Sequence, residues 1–154
     1  MNERSRIAGI SLFPIALFSV CKSKLELIKG FILHTQGKNE KAIDALEKAT
    51  EADPHNISAW KFKGVILSKH LRRYIDSVEA LDRSLQINPR DTNVWSLKGV
   101  ILARHLHKYE DAIEAFDRSI ILDPNDLDVW NYRFEALKAA NSLHNRRLDS
   151  GFEE

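Results

Sequence analysis

The chain has 154 residues, enough for one domain with a modest core. Its 23 Lys and Arg balance 22 Asp and Glu, so no global field draws it to nucleic acid or to an anionic membrane. The one cysteine, Cys21, excludes an intrachain disulfide and a cysteine-based zinc site, and it fits a reducing compartment.

The first element is an apolar run over residues 7–21, broken by Gly9, Ser11, Pro14 and Ser19. Arg4 and Arg6 precede it, and Lys22 and Lys24 come after it. A charged start and a short apolar run also describe a signal sequence or anchor. Glu3 dilutes the positive end, Ser19-Val20-Cys21 only faintly echoes a lipoprotein cleavage site and no convincing small-x-small site stands elsewhere, and the run is short of the roughly 20 residues that span a bilayer. Residues 1–22 are therefore read as an apolar helix packing on the open end of the first helical hairpin, over Leu25, Ile28 and Ile32. Export or anchoring is the alternative.

From residue 23 onward the chain repeats itself. Residues 60–89 and 95–124 are identical at sixteen of thirty positions. Trp60, Trp95 and Trp130 recur every 35 residues, as do Pro54, Pro89 and Pro124. A period of this size marks stacked helical hairpins, each too small to bury its own apolar face. In each copy Trp60, Gly64 and Leu67, or Trp95, Gly99 and Leu102, share one face of a first helix. That face is expected to be core, tryptophans included. Glycine inside a helix costs about 1 kcal/mol relative to alanine, so its recurrence implies close helix packing. Ala80 and Ala115 offer the matching small residues on the second helix. Asn56, Asp91 and Asp126 stand two residues after each proline, where N-caps are expected. A worn earlier copy carries Gly30, Leu33, Ala42, Leu46, Ala49 and Pro54, with Gly37-Lys38-Asn39 as a shorter turn.

The last helix carries Leu127, Trp130, Phe134 and Leu137 on one face and Asp128, Asn131, Glu135 and Lys138 on another. It reads as a cap with its polar face outward. The divisions are thus 1–22, an N-terminal segment; 23–56, 57–91 and 92–126, three repeats; 127–144, a capping helix; and 145–154, a flexible tail.

The pattern resembles the tetratricopeptide repeat, whose signature is Trp-x2-Leu-Gly-x2-Tyr, then Ala-x3-Phe, then Pro. Trp95, Gly99, Tyr109, Ala112, Phe116 and Pro124 carry the resemblance, and Trp60, Gly64, Tyr74, Leu81 and Pro89 repeat it. Lys63 and Lys98 depart from it, standing where the family usually has leucine. The resemblance implies an all-α, right-handed solenoid of stacked antiparallel hairpins, acting as a non-catalytic scaffold that binds a peptide in its concave groove. By repeat alignment that groove is lined by Lys24, Leu27, Phe31, His34, Lys61, Val65, Ser68, Lys69, Asn93, Ser96, Val100, Ala103, Arg104, Asn131, Glu135 and Lys138. Cations outnumber acids among them, which suits an acidic peptide with an apolar anchor. Some family members hold chaperone C-termini with a two-carboxylate clamp. At the matching positions this chain has Leu27, Phe31, Phe62, Asn93 and Leu97, so that specific function is not expected.

No catalytic constellation, phosphate loop, cofactor motif or metal site can be nominated, so no enzyme and no cofactor are expected. The six histidines include His70, His105 and His107 in helix–helix turns, read as solvated. The turns Lys69-His70-Leu71-Arg72-Arg73 and Arg104-His105-Leu106-His107-Lys108 are basic. They sustain a rival reading as an accessory nucleic-acid-binding protein, set against the ordinary preference of helix C-termini for cations. The expected partner is another protein or peptide, and the expected location cytoplasmic, with a membrane-tethered or secreted assembly factor as the second rival.

Overall fold

The computed structural model describes the backbone of residues 12–150 and the side chains of residues 16–146. Among them are seven helices and no strand: α1 (Leu12–Thr35), α2 (Asn39–Ala52), α3 (Ile57–Lys69), α4 (Tyr74–Ile87), α5 (Thr92–Arg104), α6 (Tyr109–Leu122) and α7 (Leu127–Ser150). The fold is all-α, a series of helical hairpins of the expected kind. It divides into two compact units, residues 1–72 and 73–154, with the division falling inside the second repeat.

The loops between repeats are built alike. Asp53, Asn88 and Asp123 leave the helical region, each directly before a proline, because a following pyrrolidine ring crowds the α conformation. The side chains of these residues accept the backbone N–H of His55, Arg90 and Asn125 at 3.0, 3.2 and 3.1 Å, a turn around each proline. Asn56, Asp91 and Asp126 then cap the next helix, accepting from Ala59, Val94 and Val129. The indole N–H of Trp60, Trp95 and Trp130 donates to the carbonyl of Pro54, Pro89 and Pro124 at 2.9, 2.9 and 3.0 Å. That bond explains why tryptophan and proline recur together. It also corrects the core assignment: Trp60 and Trp95 are half-buried and Trp130 is exposed, since an indole that closes a surface loop stays at the surface.

Within hairpins the turn needs one residue in the left-handed region. Gly37, Arg72 and His107 fill it, 35 residues apart, with φ of 73°, 55° and 53°. The helices after these turns have no side-chain cap at Lys38, Arg73 or Lys108. Acids in their first turns (Glu40, Asp76, Glu110 and Asp111) favour the positive helix end instead.

In the first unit, α2 presents Ala42, Ile43, Ala45, Leu46 and Ala49, all buried. Gly30 of α1 lies against Leu46, where a Cβ would stand 3.0 Å from Leu46 Cγ. Ser23 Oγ donates to the Ala49 carbonyl and Ser19 Oγ to that of Ala52, pinning α1 along α2. α1 runs unbroken through the boundary expected at residues 22–23, so residues 12–22 extend the first repeat helix and do not pack across it. Leu25, Ile28 and Ile32 are accordingly exposed. The part of the apolar run before residue 12 lies outside the described residues. No helix among the described residues is long and apolar enough to cross a membrane.

In the second unit, Leu81, Leu85, Val94 and Ile101 form one cluster between α4 and α5. Leu102, Ala112, Phe116, Ile120, Val129 and Ala136 form another among α5, α6 and α7. Gly99 packs under the Phe116 ring; a Cβ there would lie 2.5 Å from Phe116 Cε1. α7 packs through Val129, Tyr132 and Ala136. Its Leu127, Trp130 and Phe134 face is exposed, the reverse of the expected cap. Val129 and Ala136 win the inner side because small residues let α7 lie close to the Phe116 ring. α7 also continues to Ser150, through the first six residues of the expected tail.

Lys63 and Lys98 have a structural reason to replace leucine. Lys63 Nζ reaches Glu47 at 3.0 Å and lies 5.5 Å from the Trp60 ring centre. Lys98 Nζ reaches Asp82 at 2.5 Å and lies 5.4 Å from that of Trp95. Arg133, one period on, pairs with Asp117. Each cation ties a first helix to the helix before it, and the two lysines also cover an indole face.

Candidate functional site

The expected groove residues are placed unit by unit. In the first unit Lys24, Phe31 and Lys69 are exposed, and Leu27, His34, Lys61 and Val65 are half-buried. Ser68 is buried, its hydroxyl bonded at 3.1 Å to the carbonyls of both Gly64 and Val65, so it belongs to the helix interior and not to a groove. The Phe31 ring lies 5.9 Å from Phe62; His34 meets Phe62 edge-on at 5.3 Å and His70 at 4.8 Å. The face shared by α1 and α3 is thus an aromatic floor. His34 Nδ1 is 2.8 Å from Asn39 Oδ1, which holds the ring in place.

In the second unit Val100, Arg104 and Glu135 come together around a cavity of about 170 Å³, completed by Ala103, Tyr109, Phe116, Tyr132 and Ala136. Its wall is mostly apolar, supplied by α5, α6 and α7. The Arg104 guanidinium stands 5.1 Å from the Tyr132 ring centre, an arrangement that holds the cation at the rim. A second cleft shares Tyr109 and Glu135 and extends along α7 past Lys138, Ser142 and Arg146. The chemistry available is an apolar socket beside three cations, Arg104, Lys138 and Arg146, with one carboxylate, Glu135. Asn93, Ser96 and Asn131 stand outside this lining, Asn93 and Asn131 exposed and Ser96 half-buried.

Tyr132, Tyr109, Phe116 and Ala136 were not among the expected site residues. Tyr132 had a signal: it stands 35 residues after Leu97 and 70 after Phe62, both at positions where the family clamp resemblance falls. The basic turns are partly engaged. Arg73 pairs with Asp76 at 2.7 Å, His105 stacks on Tyr74 at 4.0 Å, and His107 Nδ1 is 3.1 Å from the Tyr109 hydroxyl. Among the described residues no group of three His, Cys, Asp or Glu is placed to hold a metal.

The solved structures similar to this chain have the same architecture. One is the first TPR of Spaghetti (RPAP3) bound to the HSP90 peptide SRMEEVD, 24% identical, covering 79% of this chain and 98% of that one at a TM-score of 0.68. The first TPR domain of human RPAP3 is also 24% identical, covering 80% and 96% at 0.69. The TPR2B domain of yeast Sti1, in a complex with pHsp70, is 14% identical, covering 77% and 98% at 0.67. No curated protein matches the chain. Models of the tetratricopeptide repeat match residues 27–56 and 70–127, the stretches that hold the Gly37, Arg72 and His107 turns and the prolines that end each repeat. With the repeat period, the hairpins and these matches in agreement, the chain belongs to the tetratricopeptide-repeat family.

Proposed function

We propose that the protein is a non-catalytic interaction scaffold, and that its second unit takes a peptide carrying an apolar anchor next to acidic groups. The observation that carries this reading is the socket of Val100, Phe116 and Tyr132 with Arg104 held across the Tyr132 ring. A mostly apolar concavity with a few fixed polar groups is what a ligand site requires. An apolar side chain fills the socket, and peptide carboxylates meet Arg104, Lys138 and Arg146. Similar folds solved with chaperone peptides support a peptide as the ligand class. At the positions of the two-carboxylate clamp this chain has Leu27, Phe31, Phe62, Asn93 and Leu97, so the anchor, and not that clamp, reads the peptide.

The test is fluorescence anisotropy with a library of short peptides pairing one large apolar residue with two or three acids. Binding is expected to weaken with salt, because exposed charges are screened over about 8–10 Å. Arg104→Glu is expected to weaken it strongly while leaving helical content intact, and Lys108→Glu, in the basic turn, to leave it unchanged. Binding insensitive to Arg104→Glu overturns the reading. Loss only in Lys108→Glu, with RNA or DNA as the ligand, establishes the nucleic-acid alternative instead.

A further inference from the structure

The charges of the chain nearly balance, but they are not evenly spread. Residues 1–35 hold five Lys and Arg against two acids, Glu3 and Glu26, and the rest of the chain is net acidic. This basic stretch contains α1, and α1 has two occupied sides. Ser19, Ser23 and Gly30 lie against α2. On another side stand Leu17, Phe18, Cys21, Leu25, Ile28 and Ile32. At 3.6 residues per turn they fall in a strip about 100° wide and about 22 Å long. Its five large side chains are between 48% and 72% exposed.

Charge says what covers the strip. Lys24 borders it on one edge and Lys22 and Lys29 on the other, all three exposed. Each lies within about 40° of an edge. From there a long side chain lays its stem on hydrocarbon and holds its ammonium outside it. Acids are kept off this side. Glu26, the one acid of α1, lies beyond Lys29, half-buried and paired with it at 3.5 Å. On α2 the exposed acids Glu40, Asp44 and Glu51 share the side opposite Ala42, Leu46 and Ala49, which face α1. An apolar strip with cations on both margins and no acid between them complements an anionic lipid surface.

Side-chain size points the same way. Where helices of this chain pack closely, a glycine meets a large side chain: Gly30 meets Leu46, and Gly99 meets Phe116. The strip has no glycine and no alanine, so it offers a packed helix no hollow. Fluid acyl chains need none. Lys22 and Lys24 at mid-helix oppose a spanning orientation, and no helix among the described residues is long and apolar enough to cross a membrane. We infer that α1 lies flat on an anionic membrane surface, with the strip from Leu17 to Ile32 against the upper acyl chains and Lys22, Lys24 and Lys29 among the lipid phosphates.

Flotation of the full chain with vesicles tests this, using phosphatidylcholine alone and an equal mixture with phosphatidylglycerol. The chain should float with the mixed vesicles only, and less of it as salt rises. Cys21 is the chain's one cysteine and stands exposed inside the strip, so a polarity-sensitive fluorophore coupled there reports on it. Its emission should shift to the blue on mixed vesicles. The same label on Asp44→Cys in a Cys21→Ser background should not shift. Ile28→Asp should lower partition by about tenfold or more, the effect of one buried aliphatic side chain. The double variant Lys22→Glu, Lys24→Glu should do the same on mixed vesicles. These positions are exposed, so helical content should hold in each variant. Phe134→Asp, on the exposed apolar face of α7, should float like the parent. No binding to mixed vesicles, equal binding to both kinds, or binding unmoved by Ile28→Asp overturns the inference. A Cys21 label shielded from iodide before vesicles are added assigns the strip to residues 1–11 of the chain itself, and a dimer abolished by Ile28→Asp assigns it to a second copy; either overturns it. The peptide socket lies in the second unit, so peptide binding by Ile28→Asp separates failure of this inference from failure of the proposed function.

Discussion

Trp95 shows what a recurring residue does when its partner is a backbone atom. Its indole packs half-buried against the Leu81–Ile101 cluster and donates to the Pro89 carbonyl. Trp95→Phe keeps much of the packing and removes the donor, and should cost about 1 kcal/mol, the usual net worth of one hydrogen bond. Trp95→Ala should cost more, though less than the roughly 3–5 kcal/mol of a fully buried aromatic. Urea denaturation of both variants checks the order. The left-handed turn residues make a second test. Gly37 has open space around the place of a Cβ, so Gly37→Ala isolates the conformational penalty, about 1–2 kcal/mol. Arg72→Gly at the equivalent turn should be neutral or stabilising, since it relieves the same penalty. Equal effects of the two substitutions would show that this backbone geometry does not decide the turn. The tryptophans illustrate how far the sequence could be read. Their spacing placed them on one helical face, but periodicity reports direction and not which polar group an N–H will find. The caps at Asn56, Asp91 and Asp126 were legible because a cap is defined by its neighbours in sequence.

At the scale of helices, Gly99 sets the α5–α6 approach. Its replacement by leucine improves helix propensity yet drives side-chain atoms into the Phe116 ring, and overpacking of this kind costs typically 1–3 kcal/mol. A lowered melting temperature for Gly99→Leu checks it; a raised one shows that the hairpin can open without loss. Lys98→Leu restores the residue the family usually has. It removes a partly exposed ion pair, worth about 0–1 kcal/mol, and should shift stability by no more than that. The hairpins, their turns and their glycines were all readable from the repeat. The orientation of α7 was not. Both of its sides are apolar at the same period, and the choice between them depends on residue size against the Phe116 ring, a property of three helices together. The socket was half-readable for the same reason: Val100, Arg104 and Glu135 come from repeat alignment, whereas Tyr132 and Ala136 enter only once α7 is docked.

Across the whole molecule, burial is concentrated around Leu46 in the first unit and Phe116 in the second. Stability in repeat proteins is a sum of local terms and neighbour terms, and need not be lost in one step. Native-state hydrogen exchange should therefore find the slowest amides in α2, α5 and α6 and the fastest in the last turns of α7. Leu46→Ala should lower protection in α1 and α2 more than in α6. Uniform loss along the chain would show that the repeats unfold as one.

The turn, cap and indole bonds of the loop around each proline are made within a few residues: Asp53 to His55, Asn56 to Ala59, Trp60 to Pro54. A chain duplicated by a break inside that loop would part tryptophan from proline. A break at the hairpin turn parts neither. The unit that can be copied intact is therefore a cassette such as residues 73–107, which begins after one left-handed residue and ends on the next. Insertion of a second such cassette after His107 leaves the turn, cap and indole bonds of each loop formed within their own segment. Repeat number in this chain is in that sense a countable trait, open to lengthening by whole steps of 35 residues.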